Sequence, residues 1–250
     1  MRHIGILAHS VPGAAQCFQA VARYGEQGLG THQHPDVSLD CIAMGRSMPA
    51  WETGDYDTIR ATLAQSAERL ARLGADFFAC PDNTAHLALE RPGPQLALPG
   101  LHIAEVVAWQ AAKAGHHTVG VLGTRWTMEA QLYPRILAAH GLQSRSPRAE
   151  DRQMIQQITF GQLVKGVFTD AARKRFTEVI TRLGEDGCDA VALVCTEFPL
   201  LISPEVSPLP TLDSTDLLAR AAVNAAIGGA QPTWRGVQID TWPVRPSSRR

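Results

Sequence analysis

An internal repeat constrains the fold of this chain more than any other feature of its sequence. Residues 74–86 and residues 187–199 share one pattern, in which a glycine is followed by a short apolar run and then by a polar tip. The residue eight positions after each glycine can transfer a proton, and it is Asp82 in the first copy and Cys195 in the second. A repeat with a spacing of about 110 residues predicts two similar α/β halves rather than the short stacked units of a solenoid.

Short apolar runs alternate with helical patterns along the chain. Runs that predict strands occur at 3–8, 37–42, 77–81, 118–122 and 190–194, and the run at 37–42 alternates between apolar and polar residues. Apolar residues spaced by three and four predict helices at 14–28, 55–73, 103–114, 128–140, 151–165 and 169–183, followed by a last helix through Ala226. The polar segment 144–152 is expected to form a surface connection. Strands separated by helices are typical of parallel sheets that are covered on both faces.

We therefore predict an α/β fold of two pseudo-symmetric, doubly wound halves, with parallel sheets and the active site in the cleft between the halves. The first half is expected to contain residues 1–100 and 208–228, the second half residues 101–207, and a C-terminal tail residues 229–250. Ligands of such folds bind beyond the carboxyl ends of the parallel strands. Asp82 and Cys195 should therefore face a single cleft.

The turn after the first predicted strand supplies two further candidates for that cleft, His9 and Ser10. A base on one side of a carbon atom and an acid on the other can remove a proton from one face and return a proton to the opposite face. Asp82 and Cys195 suit this chemistry if they lie across one small molecule from each other.

Composition and charge exclude several classes of function. With 250 residues, of which 45% are hydrophobic, the chain can fill one large core or two smaller ones. The 23 basic and 24 acidic residues leave a net charge of -1 without a concentrated basic face, which argues against nucleic acid as a partner. No apolar run approaches the roughly 20 residues that span a bilayer, so we expect no membrane partner. Five cysteines without CxxC spacing favour a reducing cytoplasm over a disulfide framework.

Several short motifs, taken together, resemble the aspartate/glutamate/hydantoin racemase superfamily, the cofactor-independent amino-acid racemases. The motifs are His34-Pro-Asp36, Gly74-Ala-Asp76, Asn83-Thr-Ala-His86, Leu122-Gly-Thr124, Lys165-Gly166 and Cys195-Thr-Glu197. The resemblance extends from Ile4 to Asp213. It implies a small amino-acid or dicarboxylate substrate, catalysis without a cofactor or a metal, and a homodimer.

The resemblance also implies roles for individual residues. In that family each polar tip carries a catalytic cysteine, and Cys195 occupies the second of the two positions. Asp82 occupies the first position, while Cys80 comes two residues too early. The substrate's α-carboxylate and ammonium groups would be held by Asn83, Thr84 and Thr196, with Thr127 lining the same pocket. Lys165, with Arg46, would receive the carboxylate of an acidic side chain.

These residues predict a PLP-independent racemase of aspartate or glutamate that works by two-base α-proton transfer. Ordinary pKa values of about 3.9 for Asp and about 8.5 for Cys make a carboxylate a weaker base than a thiolate by about 6 kcal/mol. Asp82 could therefore act as the second base only in a dry cleft. The alternatives are a one-cysteine decarboxylase or isomerase of a small dicarboxylic acid, and a catalytically impaired homologue that only binds an amino acid.

Overall fold

A computed structural model describes residues 1–236, and it contains two parallel four-stranded sheets in the part of the chain described. The first sheet comprises β1 (Ile4–Ala8), β2 (Val37–Cys41), β3 (Phe77–Ala79) and β4 (Gly100–Leu101), in the order β2-β1-β3-β4. The second comprises β5 (Thr118–Gly123), β6 (Gln143–Arg145), β7 (Ala190–Val194) and β8 (Thr211–Asp213), in the order β6-β5-β7-β8. The two sheets have the same strand order, which confirms the predicted pseudo-symmetric α/β fold.

Helices cover both faces of each sheet. Those of the first half are α1 (Val11–Leu29), α2 (Met48–Thr53), α3 (Tyr56–Arg72) and α4 (Ala85–Leu89). The remaining helices are α5 (Ile103–Lys113), α6 (Arg125–Glu129), α7 (Leu132–Ala139), α8 (Ala149–Gly161), α9 (Asp170–Glu185), α10 (Phe198–Leu201) and α11 (Ser214–Ala226). Between residues 1 and 236 no helix is long and apolar enough to cross a membrane.

The alternation of side chains along β1 shows why the first sheet is buried on both faces. Ile4, Ile6 and Ala8 pack into the core beneath α1 and α11, whereas Leu7 packs into the core beneath α3. Successive side chains of a strand point to opposite faces, so an uninterrupted apolar run suits a strand with helices on both sides. The buried strand β7 has the same position in the second sheet as β3 has in the first. The tips that follow these two strands are therefore structural counterparts.

Two predicted elements differ from the structure. The segment expected to be a surface connection begins with the strand β6, a half-exposed edge strand without the apolar residues that identify buried strands. The single helix predicted at 128–140 is two helices, α6 and α7, because the backbone is extended at Ala130. Pro134 lies in the first turn of α7, where a missing backbone N–H leaves no helical hydrogen bond unmade.

The boundary between the halves also differs from the predicted one. Residues 208–228 were expected in the first half. Of this segment, β8 pairs with β7 in the second sheet, whereas α11 packs against α1 of the first half. The chain therefore returns to the first half after Asp213. Of the predicted tail 229–250, Trp234 is buried against Phe78, His86 and His102, and residues 237–250, including Trp242, lie outside the described residues.

Candidate active site

A cleft receives the carboxyl ends of strands from both sheets. Its lining comes from the turns after β1, β3, β5 and β7, together with residues of α2, α6, α8 and two short 3-10 turns. The lining residues are His9, Ser10, Met44, Met48, Trp51, Pro81, Asp82, Asn83, Thr84, Thr124, Trp126, Thr159, Phe160, Val164, Val194, Cys195, Thr196 and Glu197. The two tips of the sequence repeat therefore contribute to one cleft.

The side chain of Asp82 is held by two contacts. Its Oδ1 accepts a hydrogen bond from the Ala85 backbone N–H at 3.2 Å, and its Oδ2 lies 3.3 Å from His9 Nδ1. Burial raises the pKa of Asp82, but the hydrogen bond and charge of His9, together with the Ala85 N–H, outweigh burial and leave the pKa below its usual value. Asp82 is therefore a carboxylate at neutral pH, with 14% of its side chain exposed.

Cys195 is held in the opposite protonation state. Its thiol donates to Glu197 Oε2 at 3.0 Å, and the Thr196 hydroxyl donates to the same oxygen at 2.9 Å. Burial raises the pKa of Cys195 well above its usual value, and the negative charge of Glu197 raises it further. The charge of Asp82 acts in the same direction. The cleft thus has a carboxylate on one tip and a thiol on the other.

Three threonine hydroxyls form a cluster on the floor of the cleft. Thr84 Oγ1 lies 3.0 Å from both Thr124 Oγ1 and Thr127 Oγ1, and those two oxygens are 3.2 Å apart. Thr84 and Thr124 line the cleft, whereas Thr127 lies behind them at 1% exposure. The hydroxyls are suited to donate to a carboxylate bound against Thr84, with Thr127 in a supporting position.

The nitrogen and the oxygen of the Asn83 amide both form hydrogen bonds to other side chains of the protein. Its Nδ2 donates to Ser214 Oγ at 2.9 Å, and its Oδ1 accepts from the Tyr133 hydroxyl at 2.6 Å. Ser214 Oγ in turn donates to the Leu193 carbonyl at 3.0 Å. Burial raises the pKa of Tyr133 well above its usual value, so Tyr133 remains a donor. A direct contact of Asn83 with a substrate, as the sequence suggested, stays a prediction.

The first turn of α1 approaches the second tip closely. A Cβ atom at Gly13 would lie 2.6 Å from Thr196 Cγ2, so only glycine allows this approach. Gln16 Nε2 donates to the Thr196 carbonyl at 2.9 Å. Ser10 occupies the N-cap position of α1 and lines the cleft. The same Cβ position at Gly13 would lie 3.0 Å from Ser10 Oγ, so the first turn of α1 brings Ser10 near Thr196 of the other half.

The similarity of the chain to known proteins agrees with this geometry. The profile of the Asp/Glu/Hydantoin racemase family matches residues 12–222. The chain belongs to this family. The broad specificity amino-acid racemase RacX of Bacillus subtilis is 27% identical over 172 residues, which cover 68% of this chain and 73% of RacX.

Solved structures of family members have the same fold. An Asp/Glu racemase candidate from Yersinia pestis superposes with a TM-score of 0.80 at 26% identity, covering 91% of this chain and 100% of that one. The aspartate racemase of Picrophilus torridus superposes with a TM-score of 0.73 at 19% identity, covering 90% of this chain and 94% of that one. The likeness to the second shows the fold alone.

Three residues predicted for the substrate site do not line the cleft: Thr127, which lies behind Thr84 and Thr124, and the cations Arg46 and Lys165. Arg46 and Lys165 are both exposed, and neither is among the lining residues. Arg46 ends a short 3-10 turn whose first residue, Met44, does line the cleft, and Val164, next to Lys165, lines it as well. The structure thus brings Ser10, Asp82, Asn83, Thr84, Cys195 and Thr196 together and leaves the two cations on the surface.

The structure also adds residues that sequence reasoning missed. Trp51, Trp126 and Phe160 line the cleft in a row of ring contacts, and the sequence predicted no role for any of them. Trp126 lies just after the turn that ends β5, and this place in a parallel sheet could have identified it. No comparable signal marks Trp51 or Phe160. Among residues 1–236 no three His, Cys, Asp or Glu side chains come together as metal ligands.

Proposed function

We propose that the chain is a cofactor-independent amino-acid racemase that moves the α-proton between Asp82 and Cys195. The observation that carries the proposal is that both side chains line one cleft, one as a carboxylate and the other as a thiol. A base and a proton donor are therefore both ready before the substrate binds, as proton transfer across a carbon atom requires.

The remaining polar residues are suited to hold the substrate around its α-carbon. The α-carboxylate would bind against the hydroxyls of Ser10, Thr84 and Thr196, which would stabilise the extra negative charge of the planar intermediate. The ammonium group would bind against Glu197, which lines the cleft next to Cys195. In this arrangement the hydrogen atom on the α-carbon faces one tip and the opposite face of the carbon faces the other.

The two acid–base groups are unequal, and the structure widens their difference. The pKa of Asp82 is lowered, so Asp82 is the weaker base of the two. The pKa of Cys195 is raised, so Cys195 is mostly a thiol and seldom a thiolate. Because the two enantiomers have equal free energy in water, kcat/KM must still be equal in both directions. The inequality should appear in the separate kcat and KM values and in their pH profiles.

The sequence predicted aspartate or glutamate as the substrate, and that prediction depends on Arg46 and Lys165. Both residues are exposed and neither lines the cleft. The proposal is therefore limited to racemisation of an α-amino acid, and the nature of its side chain is a separate question.

The test is exchange of the α-proton with solvent. The enzyme is incubated in D2O with both enantiomers of phenylalanine, leucine, aspartate and glutamate, and loss of the α-proton signal is followed by NMR. We expect exchange with at least one of these amino acids, and a loss of ~1000-fold or more in the Cys195→Ala variant, since the thiol has no substitute. Absence of exchange with every amino acid would exclude the racemase.

A second candidate is a one-cysteine decarboxylase of a malonate-like acid. The observation that favours it is the raised pKa of Cys195, because a thiol that keeps its proton can protonate the carbanion left by loss of CO2. Such an enzyme would release CO2 from an α-substituted malonate, would depend on Cys195 and would tolerate Asp82→Asn. The racemase would lose activity in both variants.

A further inference from the structure

Besides its polar residues, the cleft has a set of large apolar lining residues. They are Met44, Met48, Trp51, Trp126, Phe160 and Val164. These side chains come from both halves of the molecule, and all but Trp51 are at least partly exposed. They form one surface, which we call the apolar wall.

Aromatic contacts join the apolar wall to the catalytic floor. The rings of His9 and Trp51 have centroids 6.2 Å apart, those of Trp51 and Trp126 are 6.0 Å apart, and those of Trp126 and Phe160 are 5.8 Å apart. His9 is the residue that contacts Asp82. The row of rings therefore begins beside the proton-transfer group and leads away from it, which is the path that a substrate side chain would take from the α-carbon.

The charges of the cleft are unsuited to an acidic side chain. Of the lining residues, Asp82 and Glu197 are acidic and His9 is the one that can carry a positive charge, while no lysine or arginine among residues 1–236 lines the cleft. A second carboxylate would be removed from water against the apolar wall without a cation to pair with, and it would be repelled by the two acids. An amino acid with an uncharged side chain has no second carboxylate and avoids both of these unfavourable effects.

We infer that the substrate of this site is an α-amino acid with a bulky apolar or aromatic side chain, which packs against the apolar wall. The inference rests on the proposed racemisation and names the class of its substrate. Apolar and aromatic side chains gain from leaving water, aromatic rings gain further from edge-to-face contacts with other rings, and methionine side chains adapt to the shapes that they contact.

Binding is the measurement that tests this inference independently of catalysis. Isothermal titration calorimetry compares phenylalanine and leucine with aspartate and glutamate, each as both enantiomers. We expect phenylalanine or leucine to bind at least ~10-fold more tightly than either acidic amino acid. Equal or tighter binding of aspartate or glutamate would overturn the inference, as would absence of binding by all four. Proton exchange measured in parallel decides the proposed function separately, since a ligand can bind without exchanging.

Two exposed valines of one segment provide a matched pair of variants. Val164 lines the cleft and is 38% exposed, whereas Val167 is 48% exposed and does not line it. Val164→Lys places an ammonium group beside the apolar wall and should lower the preference for phenylalanine over glutamate by ~10-fold, chiefly through tighter binding of glutamate. Val167→Lys adds the same charge outside the cleft and should leave the preference unchanged. Equal effects of the two variants would contradict a role of the apolar wall in binding the side chain.

Discussion

At the scale of single residues, the environment of Asp82 determines how well its carboxylate can act as a base. The sequence indicated that Asp82 would need a dry cleft to become a stronger base. The structure instead lowers the pKa of Asp82 through His9, despite the opposing effect of burial. Asp82 is therefore ready to accept a proton at neutral pH but binds it weakly, so most of the driving force must come from stabilising the intermediate at its carboxylate.

His9 is the residue through which this environment can be tested. In the His9→Phe variant, the hydrogen bond and charge that lower the pKa of Asp82 are lost, and burial alone should raise it. Because Asp82 must be ionised to act as the base, we expect the acid limb of the kcat/KM profile to move to higher pH. The His9→Gln variant can still donate to Asp82 and should shift the limb less. An acid limb that stays in place in both variants would show that His9 does not act through Asp82.

Glu197 shows what single-residue patterns leave out. The motif that contains it could be recognised from the sequence, but no role followed for its carboxylate. In the structure one Glu197 oxygen accepts from both Cys195 and Thr196. This role depends on the conformation of the turn after β7, which brings the Cys195 and Thr196 side chains to one Glu197 oxygen, and no spacing of residue types reveals it.

At the scale of elements, the buried strands and the long helices could be predicted because their side chains contact the core directly. The edge strand β6 could not, because its side chains are exposed or half-exposed and its pairing with β5 is made by the backbone. The apolar wall could not be predicted either. Its members lie on α2, α6, α8 and two short turns, which are distant in sequence and meet only after the halves have packed together.

Asp213, at the start of α11, should make the stability of the protein depend on pH. It is the N-cap of α11 and accepts from the backbone N–H groups of Thr215 and Asp216. Burial raises its pKa to about 6, although those hydrogen bonds oppose the shift. Since the folded state holds this proton more tightly than the unfolded state, the free energy of unfolding should fall as the pH rises from about 4 to 6, by about 1.4 kcal/mol for each unit.

The Asp213→Asn variant isolates this effect, because asparagine caps helices about as well as aspartate and does not titrate. Urea unfolding between pH 4 and 7 should show the wild type losing stability relative to the variant through that window, with no further change above it. A difference that stays constant with pH would mean that Asp213 does not titrate in the folded protein.

At the scale of the whole molecule, the sequence repeat predicted the two halves, the cleft and the two tips that contribute to it. The repeat had this predictive value because the two sheets share one strand order. That order places β3 and β7, which carry the two tips, at equivalent positions in their sheets. The contents of the cleft away from the tips were less predictable. Arg46 and Lys165 are close in sequence to the lining residues Met44 and Val164, but both are exposed and neither lines the cleft, which no pattern of residue types records.

The halves are joined at the site itself by buried hydrogen bonds. Tyr133 of α7 donates to Asn83 of the first tip, Asn83 donates to Ser214, and Ser214 donates to the carbonyl of Leu193 in β7. Each of these groups would lose a partner if the halves moved apart, at a cost of about 1–3 kcal/mol for a buried polar group left without one. The positions of the two tips relative to each other are therefore set by the packing of the whole molecule.

The central claim is that Asp82 and Cys195 act on opposite faces of one carbon atom, and the fate of deuterium tests it most directly. A single enantiomer of the amino acid that exchanges fastest is incubated in D2O, the reaction is stopped at low conversion, and the two enantiomers are separated and analysed by mass spectrometry. Two groups on opposite faces predict deuterium in the product enantiomer and little in the recovered substrate, in both directions, with Asp82→Asn and Cys195→Ser each unable to racemise. Equal deuterium in product and recovered substrate, or racemisation that survives Asp82→Asn, would contradict the account.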